Sequence, residues 1–265
     1  MKTLTGTSQR NTARGVCVVL AVCLAGNATA ADISVFSSGA PAGVEKVLAA
    51  QFTRESGHRV VLTVANPALI QQKLSVGEVP DIVILPAPII DALAKTGVLR
   101  PASRVDLARV GVGLVVREGA PLPDISTADG IRATLLRARS IVIPDPAGGG
   151  RTGAALARMM TQLGIADAVK PKLTLMQAIA GGVELVAKGE VEFGMFNISE
   201  ILPVKGVTLA GALPPALQSY IVFAAAIHAD STSVAAAEDY IKLLSAPAAR
   251  EYWRAGGLES MAPGS

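Results

Sequence analysis

The stretch IVIPDPAGGGRTGAALARMMTQLG, residues 141–164, decides the fold because it joins a short apolar strand to an amphipathic helix through a glycine loop. The strand is predicted to end at Pro144, and residues 147–150 are small enough to take backbone angles that larger side chains forbid. The helix is predicted to begin at Arg151 and to end at Gly164. Its apolar side chains recur at the i, i+3, i+4, i+7 spacing of a packed helix: Leu156, Met159, Met160 and Leu163.

The same loop has the features of an anion site. Free backbone N–H groups at a helix start lie at the positive end of the helix dipole, which favours negative charge. Arg151 adds a planar set of donors that fits a carboxylate or an oxyanion, and Thr152 and Gly153 complete the first turn. A tight strand-to-helix turn that binds nothing is the alternative, and the loop alone leaves both interpretations open. The P-loop pattern G-x-x-x-x-G-K-[ST] and the dinucleotide pattern G-x-G-x-x-G are both missing from the places where they would be expected.

Residues 1–30 predict a secretory signal peptide. Three basic side chains and no acidic one accompany an apolar core at residues 15–26, and residues 27–30 (NATA) supply a small-residue cleavage site. The apolar core is too short for a transmembrane helix. We therefore expect the mature chain to be exported to the periplasm.

Removing this segment changes the charge of the chain. The 265 residues carry 24 basic and 21 acidic side chains, and the signal removes three basic ones, so the mature chain has 21 of each. A neutral chain with 3% aromatic residues has no basic stripe or aromatic platform, and we expect no nucleic-acid partner.

Both cysteines, Cys17 and Cys23, lie in the signal, which excludes disulfides, thiol catalysis and zinc–thiolate sites from the mature chain. A lipid anchor on Cys23 is an alternative, although Val22 makes a poor lipobox. We expect no cofactor and no metal.

Strands and helices alternate along the rest of the chain, which predicts an α/β protein with two parallel or mixed sheets flanked by helices. The predicted strands lie at residues 32–36, 58–64, 81–85, 110–117, 141–143, 172–175, 191–196 and 218–227. The strand at 110–117 leaves the first unit and the strand at 218–227 returns to it. We therefore predict two lobes, residues 31–112 plus 223–265 and residues 113–222, joined by a hinge of two crossovers.

Four stretches appear in an order that resembles a known family: DISVFSSGAPAGVEKVLAAQF (32–52), QQKLSVGEVPDIVIL (71–85), the loop and helix that end in QLGI (162–165), and VELVAKGEVEFGMFNISEI (183–201). Over nearly the whole mature chain, this order resembles the periplasmic molybdate-binding proteins of ABC importers, which are type II solute-binding proteins. The resemblance implies a two-lobed periplasmic-binding-protein-like fold, a small anionic ligand, a permease partner in the inner membrane and a monomeric chain.

The resemblance also implies where the ligand is held. In the family, two serine turns, two helix starts and a strand-end tyrosine bind the oxyanion, and these positions fall on residues 37–40, 66–68, 151–153, 178–180 and 197. Ala40 stands at one ligand position, the turn at Asn66 has no hydroxyl, and Asn197 replaces the tyrosine. The predicted ligand-binding residues are Ser37, Ser38, Gly39, Asn66, Arg151, Thr152, Gly153, Ile179 and Asn197.

These departures leave the ligand open. Losing two hydroxyls and gaining Arg151 favours a carboxylate, because an anion removed from water needs matched donors. Molybdate or tungstate stays possible, since Ser37, Ser38 and Thr152 still offer hydroxyls. The resemblance extends to aconitate isomerase, an enzyme on this scaffold, so a tricarboxylate isomerase is the alternative function. Its candidate bases are Asp145, His58 and Glu200, which are all weak choices, and a weaker candidate for any catalytic role is His228, at the end of an apolar strand.

Overall fold

The computed structural model describes Met1, Thr3 and residues 31–147, 151–177 and 181–262. The rest of the predicted signal peptide, the glycines at 148–150 and the second helix start at 178–180, which contains Ile179, lie outside the described residues.

The strands of the described chain form two sheets. In chain order they are β1 Asp32–Ser37, β2 Arg59–Val64, β3 Ile82–Pro86, β4 Val105–Val110, β5 Val112–Arg117, β6 Ile141–Pro144, β7 Leu173–Met176, β8 Phe193–Asn197, β9 Val207–Ala212, β10 Ile221–Ile227 and β11 Glu259–Ser260. The first sheet has the order β11-β4-β10-β3-β1-β2 and the second β7-β6-β8-β5-β9. Both sheets are mixed: β1 is parallel to β2 and β3, and β6 is parallel to β7 and β8, whereas β10 and β5 run antiparallel to their neighbours.

Helices cover both sheets. They are α1 Gly39–Ser56, α2 Pro67–Ser75, α3 Ala87–Lys95, α4 Ala128–Arg137, α5 Arg151–Gln162, α6 Ala166–Val169, α7 Gly182–Ala187, α8 Ile198–Ile201, α9 Val234–Ser245 and α10 Arg250–Ala255, with short 3₁₀ turns at Pro101–Ser103, Lys170–Lys172 and Pro247–Ala249. Among the described helices, none is long and apolar enough to cross a membrane. The architecture confirms the predicted α/β fold with two mixed sheets.

The apolar strands place alternate side chains on the two faces of each sheet, as the strand period requires. In β3, Ile82 and Ile84 pack in one cluster with α1 and α9, while Val83 and Leu85 pack in another with α2 and α3. The second sheet divides its apolar side chains between two clusters in the same way. Burial on both faces explains why these strands read as continuous apolar runs.

The two sheets are joined at their carboxyl edges. Strand β4 runs in the same direction as β3, because both are antiparallel to β10, and it ends at Val110. Strand β5 begins at Val112, which pairs with Asn197, the last residue of β8. Only Gly111 separates the two strands, and its carbonyl accepts a 3.0 Å hydrogen bond from the N–H of Ile198. The carboxyl ends of β3 and β8 therefore lie on the same side of the molecule, next to this connection.

Several sequence predictions differ from the observed elements. The strand predicted at residues 110–117 is two strands, because the chain changes sheets at Gly111. Strand β9 was not predicted, and the strand predicted at 218–227 begins only at Ile221, after a segment that leads back to the first sheet.

Candidate functional site

The predicted ligand residues that the structure describes lie where strands end and helices begin. Ser37 ends β1 and Ser38 precedes α1, while Asn66 precedes α2. In the second sheet, Arg151 begins α5 after β6, and Asn197 ends β8. In open α/β sheets this carboxyl edge is the usual place for a ligand.

The two sheets contact each other near α1 and α8, through the two glycines that follow α10. Gly256 packs against α1, because a β-carbon there would lie 2.3 Å from Cγ2 of Val44, in the second turn of that helix. Gly257 packs against α8, because a β-carbon there would lie 2.9 Å from the backbone nitrogen of Ser199. Helices α1 and α8 also contact each other directly. The segment that follows Asn197 therefore lies beside the first turns of α1.

Ser37 is fully buried, and its hydroxyl is already engaged. Its Oγ donates a 2.8 Å hydrogen bond to Oε1 of Glu45 and lies 3.2 Å from the carbonyl oxygen of Ser38. Glu45 is itself fully buried, and burial raises the pKa of its carboxyl to about 8, an effect that the bond from Ser37 partly offsets. The hydroxyl of Tyr240 donates to the backbone oxygen of Glu45 at 3.1 Å. Oε2 of Glu45 is buried with no hydrogen-bond partner among the described residues.

Ser38 differs from its neighbour in one respect. It is 4% exposed and occupies the N-cap position of the 18-residue helix α1, yet its side chain makes no capping bond. Its Oγ is buried and has no partner within the described chain, although its backbone N–H donates to the Ile84 oxygen at 3.1 Å. A serine at this position ordinarily caps the helix. The free hydroxyl is therefore available to donate to a ligand at the start of α1.

Three side chains at the carboxyl edge of the second sheet, on α5, β8 and α8, form a chain of hydrogen bonds. The hydroxyl of Thr152 donates to Oδ1 of Asn197 at 2.9 Å, and Nδ2 of Asn197 donates to Oε1 of Glu200 at 2.8 Å. Burial raises the pKa of the Glu200 carboxyl above its ordinary value, while hydrogen bonds from Asn197 oppose the rise. Both Oε2 of Glu200 and Oγ of Ser199 are buried without a partner among the described residues.

Arg151 and Gly153 shape the start of α5. The side chain of Arg151 is exposed and makes no hydrogen bond or ion pair within the described chain. A β-carbon on Gly153 would lie 2.5 Å from the Pro144 carbonyl oxygen and 2.9 Å from the Asp145 backbone. Only glycine therefore lets the first turn of α5 pack against the end of β6.

Asn66 and Gly39 have different surroundings. Oδ1 of Asn66 accepts a 2.8 Å hydrogen bond from the N–H of Leu69, so this side chain caps its own helix. A β-carbon on Gly39 would meet nothing within 4 Å. Open space is thus present at Gly39, in the first turn of α1.

The structure separates the candidate bases of the alternative function. His58 precedes β2, where its Nδ1 accepts a 3.0 Å bond from the N–H of Ala31, and His228 follows β10, where its backbone N–H donates to the Asp81 oxygen. Both histidines lie at the edge of the first sheet opposite the carboxyl ends of its parallel strands. Asp145 follows β6 at the candidate edge, and its carboxylate accepts bonds from Gln177 and from the N–H of Ala147. Glu200 also lies at that edge.

Two residues beside the candidate site are not predicted from the sequence: Glu45, the buried partner of Ser37, and Gln218, which bonds the backbone of Val112. Glu45 shares a helical face with Leu48 and Phe52, and a single carboxylate on an apolar face is the signal that was available. No cluster of three or more His, Cys, Asp or Glu side chains that could hold a metal ion exists in the described part of the chain.

Comparison with known proteins identifies the class. Residues 33–259 match the family model described as bacterial extracellular solute-binding protein, and the chain belongs to this family. It is a molybdate-binding-like, type II solute-binding protein, with aconitate isomerase as a homologue.

Two curated relatives and one solved structure are similar over most of the chain. An aconitate isomerase from Pseudomonas is 28% identical over 233 residues, covering 86% of this chain and 87% of the relative. The molybdate-binding protein ModA of Escherichia coli is 24% identical over 246 residues, covering 90% and 94%. The periplasmic molybdate-binding protein of Azotobacter vinelandii superposes with a TM-score of 0.65 at 22% identity, covering 88% of this chain and all of that one (100%), which supports the same fold.

Proposed function

We propose that the protein is the periplasmic binding component of an ABC importer and holds a small anion between its two sheets. The observation that carries this proposal is the Ser38 hydroxyl, which is buried at the start of an 18-residue helix and has no partner among the described residues. Helix starts stabilise anions through their free N–H groups and their dipole. An unpaired buried hydroxyl costs free energy unless a ligand satisfies it.

Arg151 supports the same proposal from the second sheet. A cation in the first turn of a helix opposes the helix dipole, at a cost of about 0.3–1 kcal/mol. A bound anion would reverse the sign of that interaction and would use the planar donors of the guanidinium. The exposed, unpaired side chain of Arg151 within the described chain fits this role.

The similar proteins suggest two classes of candidate ligand. Two of the similar proteins are molybdate-binding proteins and one acts on aconitate, so both metal oxyanions and carboxylates belong to the candidates. A carboxylate would use Arg151 as a bidentate partner, whereas molybdate or tungstate would rely on the hydroxyl of Ser38 and on backbone donors. We propose lobes at residues 31–112 plus 223–265 and 113–222, which close on the ligand because only the closed state lets both contribute donors.

The second candidate function is a periplasmic tricarboxylate isomerase. The 28% identity to an aconitate isomerase favours it, and Glu200 and Asp145 supply carboxyl groups at the candidate edge. Moving a proton along an allylic acid needs a positioned base near the carbon that loses it. In this alternative Arg151 would hold a substrate carboxylate.

One panel separates the candidates. The mature chain is tested for thermal stabilisation by molybdate, tungstate, sulfate, phosphate, citrate and both aconitates. A ligand that binds only the folded state adds about 2.7 kcal/mol at a hundredfold excess over its Kd, which gives a readable shift. Stabilisation by at least one anion is expected, and no shift with any of them would contradict the binding role. Conversion of cis- to trans-aconitate by the pure protein would favour the isomerase.

A further inference from the structure

The chain of hydrogen bonds from Thr152 through Asn197 to Glu200 has a direction. Thr152 donates to Oδ1 of Asn197 at 2.9 Å, and Nδ2 of Asn197 donates to Oε1 of Glu200 at 2.8 Å. Thr152 is 7% exposed and Asn197 is 7% exposed, so both are held in place by their surroundings. Thr152 lies in the first turn of α5, next to Arg151, where the proposed anion would be bound.

The ionised form of Glu200 fixes this direction. A carboxylate has no proton to donate, so it can only accept, and Nδ2 of Asn197 must face it. Oδ1 of Asn197 then faces Thr152, whose single hydroxyl proton is used to satisfy it. Thr152 is left with lone pairs only, and lone pairs repel an anion.

A proton on Glu200 permits the opposite direction. The protonated carboxyl donates to Oδ1 of Asn197 once the amide has turned over, and Nδ2 then donates to the oxygen of Thr152. The hydroxyl proton of Thr152 becomes free to donate to a ligand. Each group keeps a hydrogen bond in both arrangements, so the difference between them is the proton on Glu200 and the donor that Thr152 offers.

The surroundings of Glu200 allow that proton. Helix α8 packs against β5, β8, β9 and α1, and its first residues also contact Gly257, which follows α10. Strands β8 and β9 carry no titratable side chain, and β5 carries Arg117 at the end remote from Asn197. The charged and titratable side chains on the neighbouring helices are Glu45, Lys46, Arg54 and Glu55 on α1, Arg250, Glu251, Tyr252 and Arg254 on α10, and Arg151, beside Thr152, on α5. The pKa of Glu200 is raised by burial and lowered by Asn197, with no contribution from a charged group. Oε2 of Glu200 is buried and has no partner in the part of the chain that the structure describes, and this burial costs more free energy when the carboxyl is ionised.

We propose that Glu200 is a positioning residue and that its protonation reverses the direction of the hydrogen bonds from Thr152 through Asn197 to Glu200. The site then takes up one proton together with its anion. This inference rests on the proposed anion-binding function and adds to it a specific coupling. Binding of the anion would favour the protonated form of Glu200. Affinity would accordingly rise as the pH falls through the Glu200 pKa, by up to about tenfold per pH unit.

The test is calorimetric titration with molybdate and with trans-aconitate from about pH 5, just above the ordinary pKa of the Glu200 carboxyl, to about pH 9. Titrations in two buffers of different ionisation enthalpy count the protons taken up. The wild-type protein is expected to take up close to one proton per anion within the titration range. Glu200→Gln, which offers a neutral amide in either orientation, is expected to bind with an affinity that no longer depends on this proton. Thr152→Ser should keep the wild-type pH profile, whereas Thr152→Val should bind weakly at every pH.

Glu238→Gln is the matched control, because Glu238 is exposed on α9 and its removal should leave the pH profile unchanged. Wild-type protein that binds either probe without proton uptake would overturn the inference while leaving the anion-binding function intact. Proton uptake that persists in Glu200→Gln would overturn it as well.

A ligand-free measurement decides the inference if neither probe binds, a result that would also contradict the proposed function for those two anions. The side-chain amide NMR signals of Asn197 are expected to titrate with pH in the wild-type protein and not in Glu200→Gln. If the Asn197 amide signals of the wild-type protein do not move with pH, this result would contradict the reversal of the hydrogen bonds.

Discussion

The hydroxyl of Ser37 donates a 2.8 Å hydrogen bond to Oε1 of Glu45, and both side chains are fully buried. This is the only side-chain partner of the Glu45 carboxyl in the described chain, whereas the adjacent Ser38 hydroxyl has none. Two neighbouring buried serines at the end of β1 thus have different surroundings. Replacing each of them by alanine should therefore have different effects on stability and on anion binding.

Ser37→Ala should lower the free energy of unfolding by about 1–3 kcal/mol, because it leaves a buried carboxyl without its partner. Ser38→Ala should change stability little, since the Ser38 hydroxyl makes no hydrogen bond within the described residues, and should instead weaken anion binding about tenfold. Urea unfolding and calorimetry on both variants check this pair. Equal loss of stability in the two variants would contradict the assignment of Ser38 as the free donor.

The buried Glu45 should make stability depend on pH. Burial raises its pKa from 4.5 to about 8 in the folded protein, so the unfolded chain releases this proton at lower pH than the folded one does. The free energy of unfolding should therefore fall as the pH rises from about 4.5 to about 8, at up to about 1.4 kcal/mol per pH unit, and level off above. Glu45→Gln should flatten this dependence and be the more stable protein at pH 8.

The control is Glu238→Gln, which removes an exposed carboxylate and should keep the wild-type slope. Urea unfolding at several pH values gives the comparison. A Glu45→Gln variant with the slope of the wild type would show that Glu45 does not carry its proton in the folded state.

Gly153 and Gly39 offer a second contrast. Gly153→Ala would place a β-carbon 2.5 Å from the Pro144 carbonyl oxygen, whereas at Gly39 the same atom would meet nothing within 4 Å. We expect Gly153→Ala to lose about 1–3 kcal/mol of stability, as overpacking does, and to displace the start of α5. Gly39→Ala should fold with wild-type stability. Thermal unfolding checks both, and wild-type stability in Gly153→Ala would contradict the close packing at the end of β6.

Gln218 holds the two connections between the sheets. Its Oε1 accepts from the N–H of Val112 at 2.8 Å, and its Nε2 donates to the Val112 oxygen at 3.0 Å and lies 3.4 Å from the Leu213 oxygen. Because Val112 pairs with Asn197, Gln218→Ala should loosen the candidate site as well as the connections between the sheets. We expect a loss of about 1–3 kcal/mol in stability together with weaker anion binding.

Gln71→Ala is its control, since Gln71 is exposed on α2 and should tolerate the change. Unfolding free energies and anion affinities of the two variants are measured side by side. A Gln218→Ala protein as stable as Gln71→Ala would mean that the amide does not secure the connections.

The order of strands and helices could be predicted from the sequence because buried strands and helix periods are local signals. Asn66 before Pro67 marked a helix start, and the structure places the capping oxygen of Asn66 there. Strand β9 and the division at Gly111 were missed, because sheet membership depends on pairing between residues far apart in the chain. Gln218, for example, contacts Val112 across 106 positions.

The candidate site was predictable only in part for a similar reason. Sequence position placed Arg151, Thr152 and Asn197 at helix starts and strand ends, but it does not say which polar groups are already bonded. Ser37 and Ser38 are alike in the sequence, and only the packing of the folded chain shows that Ser37 donates a hydrogen bond to Glu45. The Asn197–Glu200 bond was likewise hidden, although the two residues lie only three positions apart.

The central claim is that one anion contacts both sheets, through Ser38 on the first and Arg151 on the second. Its most direct test is calorimetric titration of wild type, Ser38→Ala and Arg151→Ala with the anion that stabilises the wild-type protein most in the thermal panel. Each variant is expected to bind about tenfold or more weakly, since about 1.4 kcal/mol of lost interaction corresponds to a factor of ten in Kd. Unchanged affinity in both variants, with the wild type binding normally, would contradict an anion site between the two sheets.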